Sequence, residues 1–577
     1  MNLKFILENP LVKVFLNRLL LRDMTSKKII FLIIGAAFLV RILGINYGLP
    51  LWLVADEPPF IFGALKMIEL KTLIPALHSG EFEAALYYPP YIPYFYLIPF
   101  GIFLGLKYLF IGGGLESFKN IIVADPSRLF MIARFLMAIL GTATIWLVYK
   151  ISKNIFKSEA GALLSAGFLA FSFIHANFSH WGRHWIPVAF VFSLVIYVLS
   201  REDFSLKKKY LSASLIAGIG AGVNYQSAVS IIFILLWFIF YDRLLSAKIF
   251  REKWIYASIA LFLVLILLAY FLYPAGFVVG KKSIVGERNL SGFLGGYIFH
   301  ATNLFYNDPA ILLFTVLGLI LSFFYGRKYF LVATGFIFSY IAVFYILVFH
   351  VDRYILMLLP LFAITAGYGL LKLWEKINVK FKFLVIGLGI ISFVFPAAMI
   401  IKFDWLLLRN DIRIQVINWV ESSIPKNSKI AILASFMRMP TTPEAIKELK
   451  KIDKNALRQV DFVESALKNR GDYYNLNLYT ASSDDFYGKI KKYLKENHYE
   501  YLIVENAFAK EKGVNDVKKI GTAIKIFDGY TDEAKDLVNW FGGGDKNSYG
   551  TVPWFIGGWK NIFKLKNNGP QIIILKL

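Results

Sequence analysis

Long apolar runs dominate the chain up to residue 401. Examples are "FLIIGAAFLV" from Phe31 and "IALFLVLILLAYFLY" from Ile259. A run of about 18 or more apolar residues with few charges reads as a membrane span, because its peptide groups must bond internally in hydrocarbon. The pattern predicts about eleven spans. They fall at 29–46, 128–149, 159–177, 186–200, 210–225, 227–241, 254–273, 309–325, 329–348, 354–373 and 383–401. The stretch 90–112 is also apolar, but Pro93, Pro99 and Gly101 interrupt it and it ends in glycines. It is expected to lie in the interface rather than to cross.

The pattern changes at residue 402. "IRIQVINWVESSIP" has helical periodicity and leads into the apolar strand "KIAILAS"; "FYGKIKKYLKENHYEYLIVEN" repeats that order. Residues 402–577 therefore read as a soluble α/β domain. Residues 1–28 form a basic amphipathic segment without a small-residue cleavage site. Between them, 29–401 is a transmembrane domain with a long loop at 47–127. "FGGGDKNSYG" lacks the strand–turn–helix context of a nucleotide fingerprint and reads as a loop.

Charge sets the orientation. With 90–112 not crossing, the loops 150–157, 201–209, 242–253, 326–328 and 372–382 share one side and hold 17 Lys and Arg; the opposite loops 178–185, 276–308 and 349–353 hold five. The basic side is cytoplasmic. The expectation is a multi-pass cell-membrane protein with its N-terminus cytoplasmic. Loop 47–127 and the C-terminal domain are then extracytoplasmic, and all seven histidines fall outside or at outer span ends. A formal net charge of +24 then reflects cytoplasmic loops beside anionic lipid, not a nucleic-acid partner. With no cysteine, disulfides, thiolate metal sites and cysteine nucleophiles are excluded.

The outer loop opens "RILGINYGLPLWLVADEPPFIFGALKMIE". A carboxylate at a membrane exit is costly to dehydrate and points to function. The bland alternative for Asp56 and Glu57 is a helix start, with Asp56 as cap and proline in the first turn.

That opening resembles the start of the GT-C glycosyltransferases that use polyprenyl-phosphate sugars, among them the protein O-mannosyltransferases and the lipid A aminoarabinose transferases. "YYPPYIPYFYLIP" from Tyr87, the segment from "RLFMIARFLMAILG" to "FIHANFSHW" and "FHVDRYILMLLPLFAITAGYGL" resemble further segments in the same order, over about residues 30–375. The resemblance implies a polytopic α-helical GT-C fold and an inverting transferase. Its donor is a sugar on a polyprenyl phosphate in the lipid bilayer, and its acceptor an extracytoplasmic protein or lipid. It makes Asp56 the general base, with Glu57 orienting it or holding a metal. Arg353 becomes a partner of the leaving phosphate, with His350 and Tyr354 beside it. Tyr88, Arg183, His184, Lys281 and Lys282 are further binding candidates. No metal ligand is assigned and a divalent metal stays open as cofactor. The chain also departs from the pattern: Trp185 stands where many relatives carry Asp, Tyr88 where they carry His or Lys, and Asn224 where they carry Lys. Two other readings follow from these departures and from the paired segments around "NYQS": a catalytically inactive scaffold, and a lipid or solute transporter.

Overall fold

The structure is a computed structural model. It describes residues 26–54, 57–82, 85–111, 114–246, 248–278, 290–347, 352–439, 441–452, 473–478, 489–505, 509, 519–529 and 558–577. In chain order the main helices of the first part are α1 Ser26–Ile42, α2 Pro58–Leu70, α3 Tyr91–Ile111, α4 Leu115–Ala124, α5 Ser127–Phe156, α6 Glu159–Ala170, α7 Phe173–Phe178, α8 Trp185–Leu199, α9 Leu206–Val223, α10 Ser230–Leu236, α11 Lys253–Leu272, α12 Leu290–Asn307, α13 Pro309–Tyr325, α14 Arg327–Leu347, α15 Leu359–Lys376 and α16 Lys382–Leu407. Among the described residues, α3, α5, α11, α14 and the helical run Val379–Ser423 are long and apolar enough to cross a membrane. Shorter apolar helices, α6, α8 and α13 among them, pack beside these.

The predicted spans hold as helices, but several are broken where a polar group diverts the backbone. The span expected at 159–177 is two helices, α6 and α7. Ser172 caps α7, its hydroxyl accepting from the His175 amide at 3.1 Å. Asp308, from the loop before α13, accepts from Ser172 Oγ at 2.8 Å, Phe173 N at 2.6 Å and Ile174 N at 3.1 Å. A carboxylate at a helix N-terminus satisfies amides that the helix leaves unpaired. Asn224 ends α9 in the same way. Its side chain accepts from Gln226 N at 2.9 Å and opens the 3-10 turn Tyr225–Val229. The span expected at 354–373 begins as a 3-10 turn, Asp352–Met357, ahead of α15.

The apolar α3 contrasts with α5. Ile92, Pro93, Tyr96 and Phe100 are its buried residues, while Ile98, Ile102, Leu109 and Phe110 are exposed.

After α16 come α17 Ile412–Ser423, β1 Lys429–Leu433, α18 Pro443–Ile452, β2 Tyr474–Asn477, α19 Ile490–Glu496, β3 Tyr501–Glu505, β4 Thr522–Phe527 and β5 Ile572–Lys576. Helix and strand fall where periodicity puts them. The sheet order is β2-β1-β3-β5-β4. β2, β1 and β3 are parallel, and β5 runs antiparallel to both β3 and β4. Alternation sorts β1 onto two faces. Ile430 and Ile432 pack with Val416 and Val420 of α17, while Ala431 and Leu433 pack with Leu449 of α18 and Leu494 of α19.

Replacing Asp308 by Ala strips three charge-assisted bonds from the start of α7. At roughly 1.5–3 kcal/mol per bond to a charged group before relaxation, a loss of about 3 kcal/mol is expected. It would be read as a lowered thermal midpoint of the detergent-purified protein; an unchanged midpoint would show that α7 does not depend on this clasp.

Candidate functional site

Glu57 is fully buried and so is its partner Arg134 on α5. Arg134 Nε donates to Glu57 Oε1 at 2.9 Å and Nη2 to Oε2 at 2.7 Å, a two-point guanidinium–carboxylate pair. Arg134 Nη1 donates to the carbonyls of Ile45 at 2.8 Å and Tyr47 at 2.7 Å. The amide of Gly182 donates to Glu57 Oε1 at 2.6 Å. The stretch between α1 and α2, α5 and the turn between α7 and α8 therefore meet at one charge pair. Glu57 occupies the cap position of α2, with Pro58 in its first turn, and no side chain among the described residues caps that helix. The helix-start reading is thus corrected by one residue, because the Glu57 carboxylate is spent on Arg134.

One turn into α2, Phe60 stacks on Tyr88 with ring centres 4.9 Å apart and lies 5.2 Å from His184. His184 also faces Tyr88 at 4.9 Å and Trp185 at 4.0 Å. Both ring nitrogens of His184 and the Trp185 indole nitrogen are buried without a hydrogen-bond partner among the described residues. Burial first, then Arg183 and Arg353, hold the His184 imidazole well below its usual range. It is therefore neutral at physiological pH and offers one donor and one acceptor. Unsatisfied buried polar atoms cost free energy and mark places where a ligand or water completes the bonding.

Trp185 is the hub of the charged part. The Arg183 guanidinium lies 5.6 Å and the Arg353 guanidinium 5.3 Å from its ring centre. Tyr354 lies 5.7 Å from the same ring. Arg353 keeps 20% of its side chain exposed, and its Nη1 is 3.7 Å from Asp352 Oδ1. The backbone here is pinned by three polar contacts. Tyr340 donates to the Tyr354 carbonyl at 2.6 Å, Gln226 donates to it at 3.1 Å, and Asn303 donates to the Asp352 carbonyl at 2.9 Å. Two guanidiniums against one carboxylate make a donor set for an anion with several oxygens.

The structure thus brings Tyr88, Arg183, His184, Arg353 and Tyr354 together around Trp185 and places Glu57 in the adjoining ion pair. Asp56, His350, Lys281 and Lys282 lie outside the described residues, as does the "FGGGDKNSYG" loop. Asn224, singled out as a departure, serves as a local cap that turns Gln226 toward Tyr354. Sequence reasoning missed Asp352, Phe60 and the structural role of Arg134. Asp352 adjoins Arg353 in "HVDRY", and Arg134 is a lone charge inside an apolar run; both signals were readable. Phe60 carried none. Among the described residues, no three carboxylates, imidazoles or thiols gather in a way that could hold a metal ion.

The family model described as Dolichyl-phosphate-mannose-protein mannosyltransferase matches residues 128–272. The family likeness is shown over that segment. It holds Arg134, Arg183, His184 and Trp185. No curated protein matches the chain. Two solved structures are similar over most of it. ArnT from Cupriavidus metallidurans in the apo state is 12% identical and covers 80% of each chain, with a TM-score of 0.44. The same protein bound to undecaprenyl phosphate is 13% identical over 85% of this chain and 95% of that one, with a TM-score of 0.41. At these scores the superpositions carry no residue-level correspondence.

Glu57→Ala leaves Arg134 buried without its counter-charge, at a cost of about 3–5 kcal/mol. Glu57→Gln keeps the shape and loses less. Thermal unfolding in detergent should order the proteins wild type, Gln, Ala; equal midpoints for all three would remove the pair as an anchor.

Proposed function

We propose that the chain is an inverting glycosyltransferase that moves a sugar from a polyprenyl phosphate to an extracytoplasmic protein or lipid hydroxyl. The observation that carries this reading is the Trp185 cluster. Two guanidiniums, one of them partly exposed, meet buried imidazole and indole nitrogens that have no partner among the described residues; Arg183, His184 and Trp185 lie in the segment matched by a mannosyltransferase family model, and Arg353 lies beyond it. In this reading Arg183 and Arg353 stabilise charge on the leaving phosphate. Tyr88 and the neutral His184 serve the sugar or a phosphate oxygen. Asp56, the residue before the anchored Glu57, takes the proton from the acceptor hydroxyl as its oxygen attacks the anomeric carbon. Glu57 acts through position alone, since its carboxylate is fully engaged. His350, Lys281 and Lys282 remain binding candidates by sequence.

General-base catalysis contributes roughly 10²–10⁴-fold. Purified protein given polyprenyl-phosphate sugars and membranes should therefore transfer sugar at least about a hundredfold faster than Asp56→Asn. Equal transfer by both would remove Asp56 as the base. Absence of transfer by wild type with every donor would favour the scaffold reading that Trp185 raised.

The same proposal puts α3 in the interface, the N-terminus in the cytoplasm and the C-terminal domain outside. The chain has no cysteine, so single cysteines report sidedness without background. With an impermeant maleimide, Ser26→Cys and Ser205→Cys should label from the cytoplasmic face and Ser422→Cys from the outer face. Labelling of positions 26 and 205 from opposite faces would mean that α3 crosses.

A further inference from the structure

Asp352 is a buried carboxylate inside the phosphate cluster with no role so far. It is 9% exposed. Among the described residues its Oδ1 is buried without a hydrogen-bond donor, and Arg353 Nη1 stands at 3.7 Å, too far for a hydrogen bond. Arg353 Nε is likewise buried without an acceptor among the described residues. The Asp352 backbone is fixed by Asn303 of α12, so the carboxylate stays beside the arginines whether or not it is bonded. Arg353 and Arg183 both act on it electrostatically, while burial pushes it above the ordinary aspartate range. Among the described residues, the other titratable groups on and around this turn include Tyr354, with Tyr225, Tyr340 and Tyr88 beside it, His184 next to Trp185, and His300 on α12.

The charge on the reacting phosphate changes during the proposed reaction. The donor is a phosphodiester with one negative charge. Transfer forms the bond from acceptor oxygen to anomeric carbon and breaks the bond from that carbon to the phosphate oxygen. The bonding pair stays on the phosphate, giving a monoester that carries up to two charges, with a second pKa of about 6. The acceptor's hydroxyl proton goes to Asp56. Two guanidiniums therefore face one substrate charge before transfer and two after it, with Asp352 as a third anion.

We propose that Asp352 is the exchangeable counter-ion of this cluster, ionised beside the singly charged donor and protonated, by one proton taken up from solvent and returned to it on release, while the doubly charged polyprenyl phosphate occupies the site. The two guanidiniums then meet two negative charges at both stages. Loss of the Asp352 proton sets repulsion against the monoester and helps to expel it. This inference rests on the donor class proposed above and adds a positioning residue that acts through Arg183 and Arg353.

The test is binding to the full-length protein in nanodiscs, with undecaprenyl phosphate as monoester probe and a glycosyl undecaprenyl phosphate as diester probe, from about pH 5.5 to about pH 8 across the usual phosphate and perturbed carboxyl range. Wild type should lose monoester affinity as pH rises. Asp352→Asn keeps the shape and removes the charge. At about pH 8 it should bind the monoester roughly tenfold more tightly than wild type, a difference equivalent to one pKa unit, and the two should converge at about pH 5.5. Retained diester binding by Asp352→Asn shows that the variant is folded. Equal or weaker monoester binding by the variant at about pH 8 overturns the counter-ion role. A wild type that binds neither probe overturns the donor class itself.

Discussion

The buried pair of Glu57 and Arg134 is the contact on which this end of the helical domain depends. One guanidinium holds the Glu57 carboxylate at two points and the carbonyls of Ile45 and Tyr47 besides. The carboxylate in turn holds the amide of Gly182. Each group would be expensive to bury alone, and together nearly all their bonding capacity is met. The pair therefore fixes three segments that are distant in sequence: the chain leaving α1, the start of α2 and the turn before α8. Gly182 fits because a side chain there would press on Ala133, 3.0 Å from an added Cβ. With that geometry set, Phe60 and His184 meet, and Arg183 and Trp185 follow within the same turn.

Trp185 answers the difficulty that its identity raised. In place of a carboxylate the chain puts an indole between two arginines, which attracts cations through its face without neutralising them. An Asp at that position would pair with one guanidinium and lower its value to a phosphate. The charge balance moves instead to Asp352, which sits beside Arg353 at a distance short enough for attraction and too long for a hydrogen bond. The carboxylate beside these arginines thus sits at position 352 rather than at position 185.

Much of this was legible in sequence because the signals were strong and local. Apolar runs located the helices, and periodicity located α17, β1, α19 and β3 to within a few residues. Arg353, Tyr354 and Tyr88 came from motif order, Arg183 and His184 from their place beside the departure at Trp185, and the five lie together. What escaped depended on contacts between distant segments. Nothing in a hydropathy run shows that Asp308 will reach α7 and break a span in two, or that Glu57 will be spent on a residue of α5. Asn224 looked like a lost lysine and is a cap. Phe60 looks like any aromatic residue in an apolar helix until Tyr88 and His184 are beside it.

The C-terminal α/β domain is tied to the same anchor. Tyr47, whose carbonyl accepts from Arg134, donates its hydroxyl to Asp411 at the start of α17. Asp411 pairs with the buried Arg413 at 3.2 Å, and Arg413 Nε donates to the Ser435 carbonyl at 2.7 Å, just past the end of β1. The Ser435 amide donates to Glu505 at the end of β3, at 2.7 Å. A second tie runs through Trp52, a non-glycine residue held in the left-handed region at φ 54°. Such a residue costs on the order of 1–3 kcal/mol and persists only when its surroundings hold it. Trp52 stacks on Phe130 at 5.8 Å and receives the Arg438 guanidinium at 5.0 Å. Both ties end on the stretch between α1 and α2, at Tyr47 and Trp52, nine and four residues before Asp56 in sequence. In parallel α/β sheets the carboxyl ends of the strands form the usual ligand crevice. Here Ser435, Glu505 and Arg413 fill that edge and join it to the loop that carries the proposed base. Through these contacts the edge of the sheet is tied to the loop between α1 and α2, and so, by way of the Tyr47 backbone, to the pair of Glu57 and Arg134.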